Sequence, residues 1–315
     1  MTLDQRGAVC VLGTGLIGGS LLRAAVAAGY EAFGYNRSDS GAAAARRDGF
    51  DVTGELETVL RRAADTDALL VLAVPMPAVA TILTAITTHA PRCPLTDVVS
   101  IKQPVADAVR AQGLDANYVG GHPMAGTAES GWAATDPELF RDAVWAVGVD
   151  EGTRVEPWTR VVRLALDCGS VVVPVIAAEH DQAVARISHL PHVLAEALAA
   201  AGADGGALAL GLAAGSFRDG TRVAGTAPDL VRAICEPNGA ALGRVLDETI
   251  AALMTARDSL RADGTLGALV EKGYRGRSAY DRRERWEITG VTPGEGDWLD
   301  ELRRAGQRGG VLRSL

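Results

Sequence analysis

Residues 8–29 read AVCVLGTGLIGGSLLRAAVAAG, and this stretch decides how the first half of the chain folds. The apolar run Ala8–Leu12 predicts a buried strand, and Leu21–Ala28 has the composition of a helix. Between them stands Gly13-x-Gly15-x-x-Gly18. In a strand–turn–helix setting, Gly13 makes the tight turn and Gly15 lets the backbone approach a pyrophosphate. Gly18 allows close packing of helix on strand. The helix opens at Leu16 and Ile17, so its N-terminus faces the anion. Gly13, Gly15, Leu16, Ile17 and Gly18 are therefore candidate cofactor-binding residues. A glycine-rich turn without a ligand is the alternative that the motif alone leaves open.

The next strand candidate, Glu31–Tyr35, ends in Asn36-Arg37-Ser38. An acid at this point would hold the ribose hydroxyls of NAD and repel a 2′-phosphate. Asn36, Arg37 and Ser38 instead offer an amide, a guanidinium and a hydroxyl, all able to donate to phosphate. The expected cofactor is NADP rather than NAD. The competing reading makes Arg37 a solvated surface charge and gives the NAD ribose to Asp39.

Further strand candidates are Ala68–Val74, Thr96–Ser100, Tyr118–Gly120, Val144–Val149 and Ser170–Val175, with Ala- and Leu-rich stretches such as Ala42–Asp48 interspersed. Strand and helix in alternation imply parallel strands joined by right-handed crossovers, hence an α/β fold with a Rossmann-type dinucleotide-binding domain over residues 1–175. Beyond about residue 176 the pattern turns helical. Leu190, Val193, Leu194, Ala197, Leu198 and Ala201 share one helix face within Val184–Ala201. Ala207–Ala214, Pro228–Glu236 and Ala240–Ala262 follow without strand alternation, so residues 176–315 are expected to form an all-helical domain of the kind that often dimerises. Residues 264–315 are charged and turn-rich, and resist assignment.

Composition narrows the function classes. Hydrophobic residues reach 48% but aromatics only 4%, so the core is built from Ala, Val and Leu. A net charge of −8 supplies no basic field to displace phosphate counterions, which argues against nucleic acid. Of the four cysteines none forms a C-x-x-C pair, as expected of a reduced cytoplasmic setting. The start MTLDQRGAVCVLG lacks the apolar length of a signal sequence, and no apolar run is long enough to span a membrane.

Three of the five histidines fall between residues 180 and 192. His122 lies in YVGGHPMAGTAESGW (118–132), just after a strand candidate, on the side where open α/β sheets bind ligands. Taken alone, it suits a structural role as well as a place in the cofactor cleft. His189 and His192, in ISHLPHVL (187–194), have a spacing that can serve a metal, but no third ligand is evident, so no metal is expected. A polar helix start lining a cleft for an anionic substrate fits them better. SFRDGTRVAG (216–225) places Arg218, Asp219 and Arg222 in a turn-rich stretch that also reads as an exposed loop.

The motifs GTGLIGGSL, GHPMAG, ISHLPH and RDGTR, in this order over roughly residues 8–260, resemble those of the prephenate/arogenate dehydrogenase family of tyrosine biosynthesis. GHPMAG followed at a distance by SHLPH is far more specific than the glycine loop. The resemblance implies a dinucleotide-binding domain, a helical dimerisation domain and a homodimer. The implied reaction is oxidative decarboxylation of a cyclohexadienol. It also implies roles: His122 as acceptor of the hydroxyl proton, Ser100 hydrogen-bonded near that hydroxyl, and Arg222 as clamp on a substrate carboxylate. His192, Ser188, His189 and His180 are implied to line the substrate pocket. DVVSIK (97–102) departs from the family by carrying Val99 where glycine commonly precedes the serine.

Prephenate dehydrogenation by NADP is thus the leading expectation. Arogenate is the first alternative, with Glu129 available to its amine, and 4-amino-4-deoxyprephenate the next. β-Hydroxyacid dehydrogenases share the N-terminal pattern but need a lysine on the helix after the nucleotide domain, and none occurs between residues 103 and 271. A non-catalytic NADP(H) sensor would need the glycine loop but not His122, Ser100 and Arg222 together.

Overall fold

The computed structural model describes residues 6–127 and 129–315. Residues 1–5, which belong to the start considered above for a signal sequence, lie outside the described residues. The chain divides into two compact units: residues up to His180 together with Trp286–Leu315, and residues Asp181–Arg285.

In the first unit the strands are β1 (Ala8–Leu12), β2 (Glu31–Tyr35), β3 (Val52–Thr53), β4 (Leu69–Leu72), β5 (Leu95–Asp97), β6 (Tyr118–Val119), β7 (Gly121–Pro123), β8 (Val144–Gly148) and β9 (Val171–Val175). The first six form one sheet in the order β3-β2-β1-β4-β5-β6, every pair parallel. The helices α1 (Leu16–Ala27), α2 (Asp39–Arg47), α3 (Leu56–Asp65), α4 (Met76–His89) and α5 (Gln103–Ala111) supply the crossovers. Successive side chains of a strand point to opposite faces. Val9 and Val11 accordingly pack with Leu21 and Ala25, whereas Cys10 and Leu12 pack with Leu60 and Leu83. Because both faces are covered, β1 and β4 read as unbroken apolar runs rather than alternating ones.

The expectation that Val144–Val149 and Ser170–Val175 continue this sheet is corrected. They form β8 and β9 of a separate three-stranded sheet, with β7 antiparallel and β9 parallel to β8. The strand expected over Tyr118–Gly120 is β6; after Gly120 the chain enters β7, a strand not expected from the sequence, which belongs to the other sheet. Helix α6 (Val155–Asp167) joins β8 to β9.

Helix α7 (Ala177–Val184) leads out of the first unit. The second unit is helical: α8 (Leu190–Asp204), α9 (Gly206–Gly211), α10 (Gly215–Gly220), α11 (Pro228–Cys235), α12 (Gly239–Asp263) and α13 (Gly267–Asp281). Leu208, Leu212, Val270 and Tyr274 are all more than 60% exposed there. The chain then returns to the first unit. β10 (Trp286–Glu287), α14 (Trp298–Gln307) and β11 (Gly310–Val311) place residues 286–315 with the first unit, not with the helical domain expected over 176–315. The reason is apolar packing: Ile288, Trp298, Leu302 and Leu312 are buried in the same core as Trp158 and Val172.

No helix among the described residues is long and apolar enough to cross a membrane. All four cysteines are free and buried. Burial pushes the Cys93 thiol up to about 11 and that of Cys168 to about 12, which holds both unreactive.

Candidate active site

The glycine loop can be tested for fit to a dinucleotide from its own geometry. Gly13 has φ +108°, and a Cβ there would lie 2.5 Å from the Ala73 carbonyl oxygen. A Cβ on Gly18 would stand 1.9 Å from the oxygen of Gly13. Both glycines are thus required by the packing of strand, turn and helix. Gly15 differs, since a Cβ there would meet nothing within 4 Å. It is the N-cap of α1, and no side chain caps the first N–H groups of that helix. An open turn at a helix N-terminus suits a pyrophosphate. The residues fit a dinucleotide.

At the end of β2, Asn36 donates through Nδ2 to Thr14 Oγ1 (2.8 Å) and accepts at Oδ1 from the Ser38 N–H (3.0 Å). Its amide therefore ties the β2 turn to the glycine loop. Ser38 caps α2 by accepting from the Gly41 N–H, and its hydroxyl also meets that of Ser40. Arg37 is exposed and enters no ion pair among the described residues. Of the three candidates, two hold the turn and one presents a guanidinium to solvent.

Beyond β7 the loop that follows His122 is anchored on α1 and α2. Trp132 lies 2.5–3.1 Å, together with Thr135, from where a Gly19 Cβ would be, and its Nε1 donates to Asp48 (2.9 Å). Arg23 stacks against both Trp132 and Phe50 and donates to Asp48. The Trp132 hydrogen bond, with help from Arg23, holds the Asp48 carboxyl below the usual carboxylate range.

His122 occupies the middle of β7, opposite Ala146 of β8. Its Nδ1 lies 2.8 Å from Nε2 of His180 on α7, with the rings edge to face and 5.1 Å between centroids. His180 is buried and His122 half-buried. The residue implied to line a substrate pocket is thus brought directly onto the proposed base.

Beneath His122 lies a buried charged cluster that the sequence reading passed over. The Asp97 carboxylate, at the end of β5, pairs with the ammonium of Lys102; their side chains are 0% and 4% exposed. The same carboxylate accepts from Tyr118 Oη (2.6 Å), the Val99 N–H (2.9 Å) and the Gly121 N–H (3.3 Å). Lys102 also donates to the carbonyl of Gly121 (2.6 Å). Both backbone groups of the residue before His122 are therefore held from the turn that carries Ser100. The signal was present in DVVSIK, where acid and base flank the serine five residues apart. Val99, the departure from the family pattern, contributes its N–H to this network.

In the second unit, the segment Ala185–His189 forms a π-helical turn before α8. Pro191 explains it: proline has no N–H to give the carbonyl four residues back, and its ring would collide with that carbonyl. Ser188 is half-buried in this turn, and its carbonyl accepts from Nδ1 of His192 (2.9 Å). His192 therefore carries a proton on Nδ1. His189 is 1% exposed, and its Nδ1 accepts from Asn238 (3.2 Å), which also donates to the Asp181 carbonyl. Arg222 opens a short 3₁₀ turn, Arg222–Gly225, and is exposed. Close packing of α10 on α8 sets that turn: Gly202 and Gly220 leave room for Phe217 and Leu198, each within 3 Å of a would-be Cβ. No group of His, Cys, Asp or Glu among the described residues is arranged to hold a metal.

Comparison with known proteins gives this geometry a family. Residues 22–174 match the profile of the prephenate dehydrogenase nucleotide-binding domain, and residues 176–271 that of the prephenate dehydrogenase dimerization domain. Cyclohexadienyl dehydrogenase of Zymomonas mobilis is 30% identical over 261 residues, 80% of this chain and 88% of its own length. Prephenate dehydrogenase of Lactococcus lactis is 31% identical over 225 residues, 69% of this chain but only 60% of its own length. A crystal structure from Corynebacterium glutamicum, provisionally assigned as a prephenate dehydrogenase, superposes with a TM-score of 0.91 at 50% identity and covers 98% of this chain and 99% of its own. The chain belongs to the prephenate dehydrogenase family, whose cofactor is a nicotinamide dinucleotide.

Proposed function

We propose that the chain catalyses the oxidative decarboxylation of prephenate to 4-hydroxyphenylpyruvate, with NADP as the preferred cofactor. The observation that carries this reading is the His122–His180 contact, 2.8 Å long, next to a strand start clamped by Asp97 and Lys102. A rigidly held imidazole, in the unit that also carries the dinucleotide loop, is what proton removal from a ring hydroxyl needs. A bound nicotinamide dinucleotide supplies the hydride acceptor. His122 takes the hydroxyl proton, which requires its neutral form. Ser100, on the turn that Lys102 and Asp97 flank, hydrogen-bonds the same hydroxyl. Arg222 holds a substrate carboxylate through its two-pronged guanidinium. His192, Ser188 and His189 contribute to substrate binding. The ring carboxyl departs as CO2, and its bonding pair flows into the ring to make it aromatic.

The NADP preference rests on Arg37, whose exposed guanidinium stands at the turn where a ribose-binding acid would otherwise sit. The apolar, exposed side chains of Leu208, Leu212 and Val270 support a homodimer formed by the helical unit. The buried, unpaired thiols support a cytoplasmic location.

The test offers prephenate and arogenate, each with NADP and NAD, and follows absorbance of the reduced nucleotide. Turnover of prephenate with NADP is expected. Turnover of arogenate alone would replace the substrate, and binding of NADPH without turnover of either would replace the activity. His122→Asn is expected to lose at least ~10²-fold in kcat with its nucleotide affinity intact. Arg37→Ala is expected to weaken NADP about tenfold or more while leaving NAD unchanged. Equal affinity of that variant for NADP would refute the cofactor assignment.

A further inference from the structure

We infer that His180 is a positioning residue for His122, one that selects which ring nitrogen serves as the base. The inference rests on the reading of His122 as proton acceptor. The Nδ1 of His122 and the Nε2 of His180 are 2.8 Å apart, so one proton lies between them. Two arrangements are available to the neutral pair. If His180 donates from Nε2, the proton of His122 sits on its own Nε2, and neither nitrogen of that ring can accept from a substrate. If His122 donates from Nδ1, the proton is on that nitrogen and the lone pair of the ring is on Nε2.

Only the second arrangement survives the reaction. When His122 receives a proton on Nε2, both of its nitrogens become donors, and Nδ1–H needs an acceptor. Nε2 of His180 is that acceptor. The contact then becomes charge-assisted, so it is stronger in the protonated state than before transfer. An interaction that strengthens along the reaction lowers the barrier rather than merely binding.

The rest of the geometry holds both rings for this purpose. His180 is 4% exposed, and its backbone N–H is bonded to the Ile176 carbonyl (3.0 Å) at the start of α7. His122 is set in β7 between Gly121, held by Asp97 and Lys102, and Pro123. A buried imidazole already committed to its neighbour has no nitrogen at Nε2 left for substrate.

The test compares His180→Leu with His180→Gln, whose side-chain oxygen can accept from Nδ1–H. His180→Leu is expected to lower kcat by ~10²-fold, with KM and nucleotide affinity within about threefold of wild type. His180→Gln is expected to recover at least about tenfold of that loss. A raised KM with unchanged kcat in the Leu variant would overturn the inference in favour of direct substrate binding. Equal activity of all three proteins, or no recovery by Gln, would overturn it as well. A second measurement needs no variant: ¹⁵N NMR of the histidine-labelled full chain reads the tautomers. Protonated Nδ1 with bare Nε2 is expected for His122, and the reverse tautomer would overturn the inference. If the unaltered protein turns over neither prephenate nor arogenate, the functional reading falls and the tautomer still decides this point.

Discussion

Asp97 acts on His122 through Gly121, the residue before it. Its carboxylate is fully buried, yet it collects an ammonium, a phenol and two backbone N–H groups. A buried carboxylate is tolerable only with such complete compensation. Lys102→Met therefore leaves the anion without its cation, and the loss in stability is expected to be ~3–5 kcal/mol by denaturant unfolding. Adding Asp97→Asn to Lys102→Met should restore part of it, since the uncompensated charge is then gone. Additive losses in the double variant would show that the two side chains act separately. At this scale the sequence was legible where chemistry is local. His122 and the glycines stand inside short motifs that name their surroundings. His180 does not: it reaches His122 across 58 positions, a distance no motif spans. The hydrogen bond from Asn238 to His189 is likewise beyond a motif's reach, since the two residues are 49 positions apart.

Helix α1 shows how one element serves packing and binding through different glycines. Gly18 is filled space, with a would-be Cβ only 1.9 Å from a carbonyl oxygen, whereas Gly15 faces nothing within 4 Å. The two alanine variants should separate accordingly. Gly15→Ala is expected to unfold within about 1 kcal/mol of wild type while its dinucleotide affinity falls at least ~10-fold, because the new methyl enters the space meant for pyrophosphate. Gly18→Ala is expected to lose more than about 2 kcal/mol of stability even without ligand, from overpacking against backbone. Thermal unfolding with and without nucleotide reads both effects; matching losses of stability would contradict the division of labour. Most elements were predictable, since β1, β2 and α1 announce themselves by apolar runs and glycine punctuation. The two-residue β3 and the three-residue β7 were not, because nothing periodic can be seen in so few residues. The π-turn Ala185–His189 hid inside a run that reads as one continuous helix, although Pro191 marked where the helix had to give.

For the whole molecule, the chain's return after residue 285 is the feature least visible in the sequence. Strands β10 and β11 have two residues each, and the charged run before them reads as a tail. Only the partners reveal the purpose. Trp298 packs edge to face on Trp158 at 5.2 Å, and Val172 and Leu312 exchange two backbone hydrogen bonds of 3.0 and 2.8 Å. Arg303 donates to the Val149 carbonyl, and Gly306 lies so close to Pro174 that a Cβ would stand 1.9 Å from its oxygen. The returning segment thus covers the sheet that carries His122, which makes it part of the first unit's core rather than an appendage. Trp298→Ala should consequently cost the first unit ~3–5 kcal/mol, the range for emptying a buried tryptophan site. The loss should appear as a lower unfolding temperature whose extent shrinks little when the dinucleotide is present, because the cavity lies in the apolar core and not at the glycine loop. Hydrogen exchange locates the effect: faster exchange is expected in β8, β9 and α6, with β1 and α1 little changed. If Trp298→Ala left those amides protected as before, the C-terminal segment would be a passive covering, and its burial against Trp158 would have no bearing on the strand that holds His122.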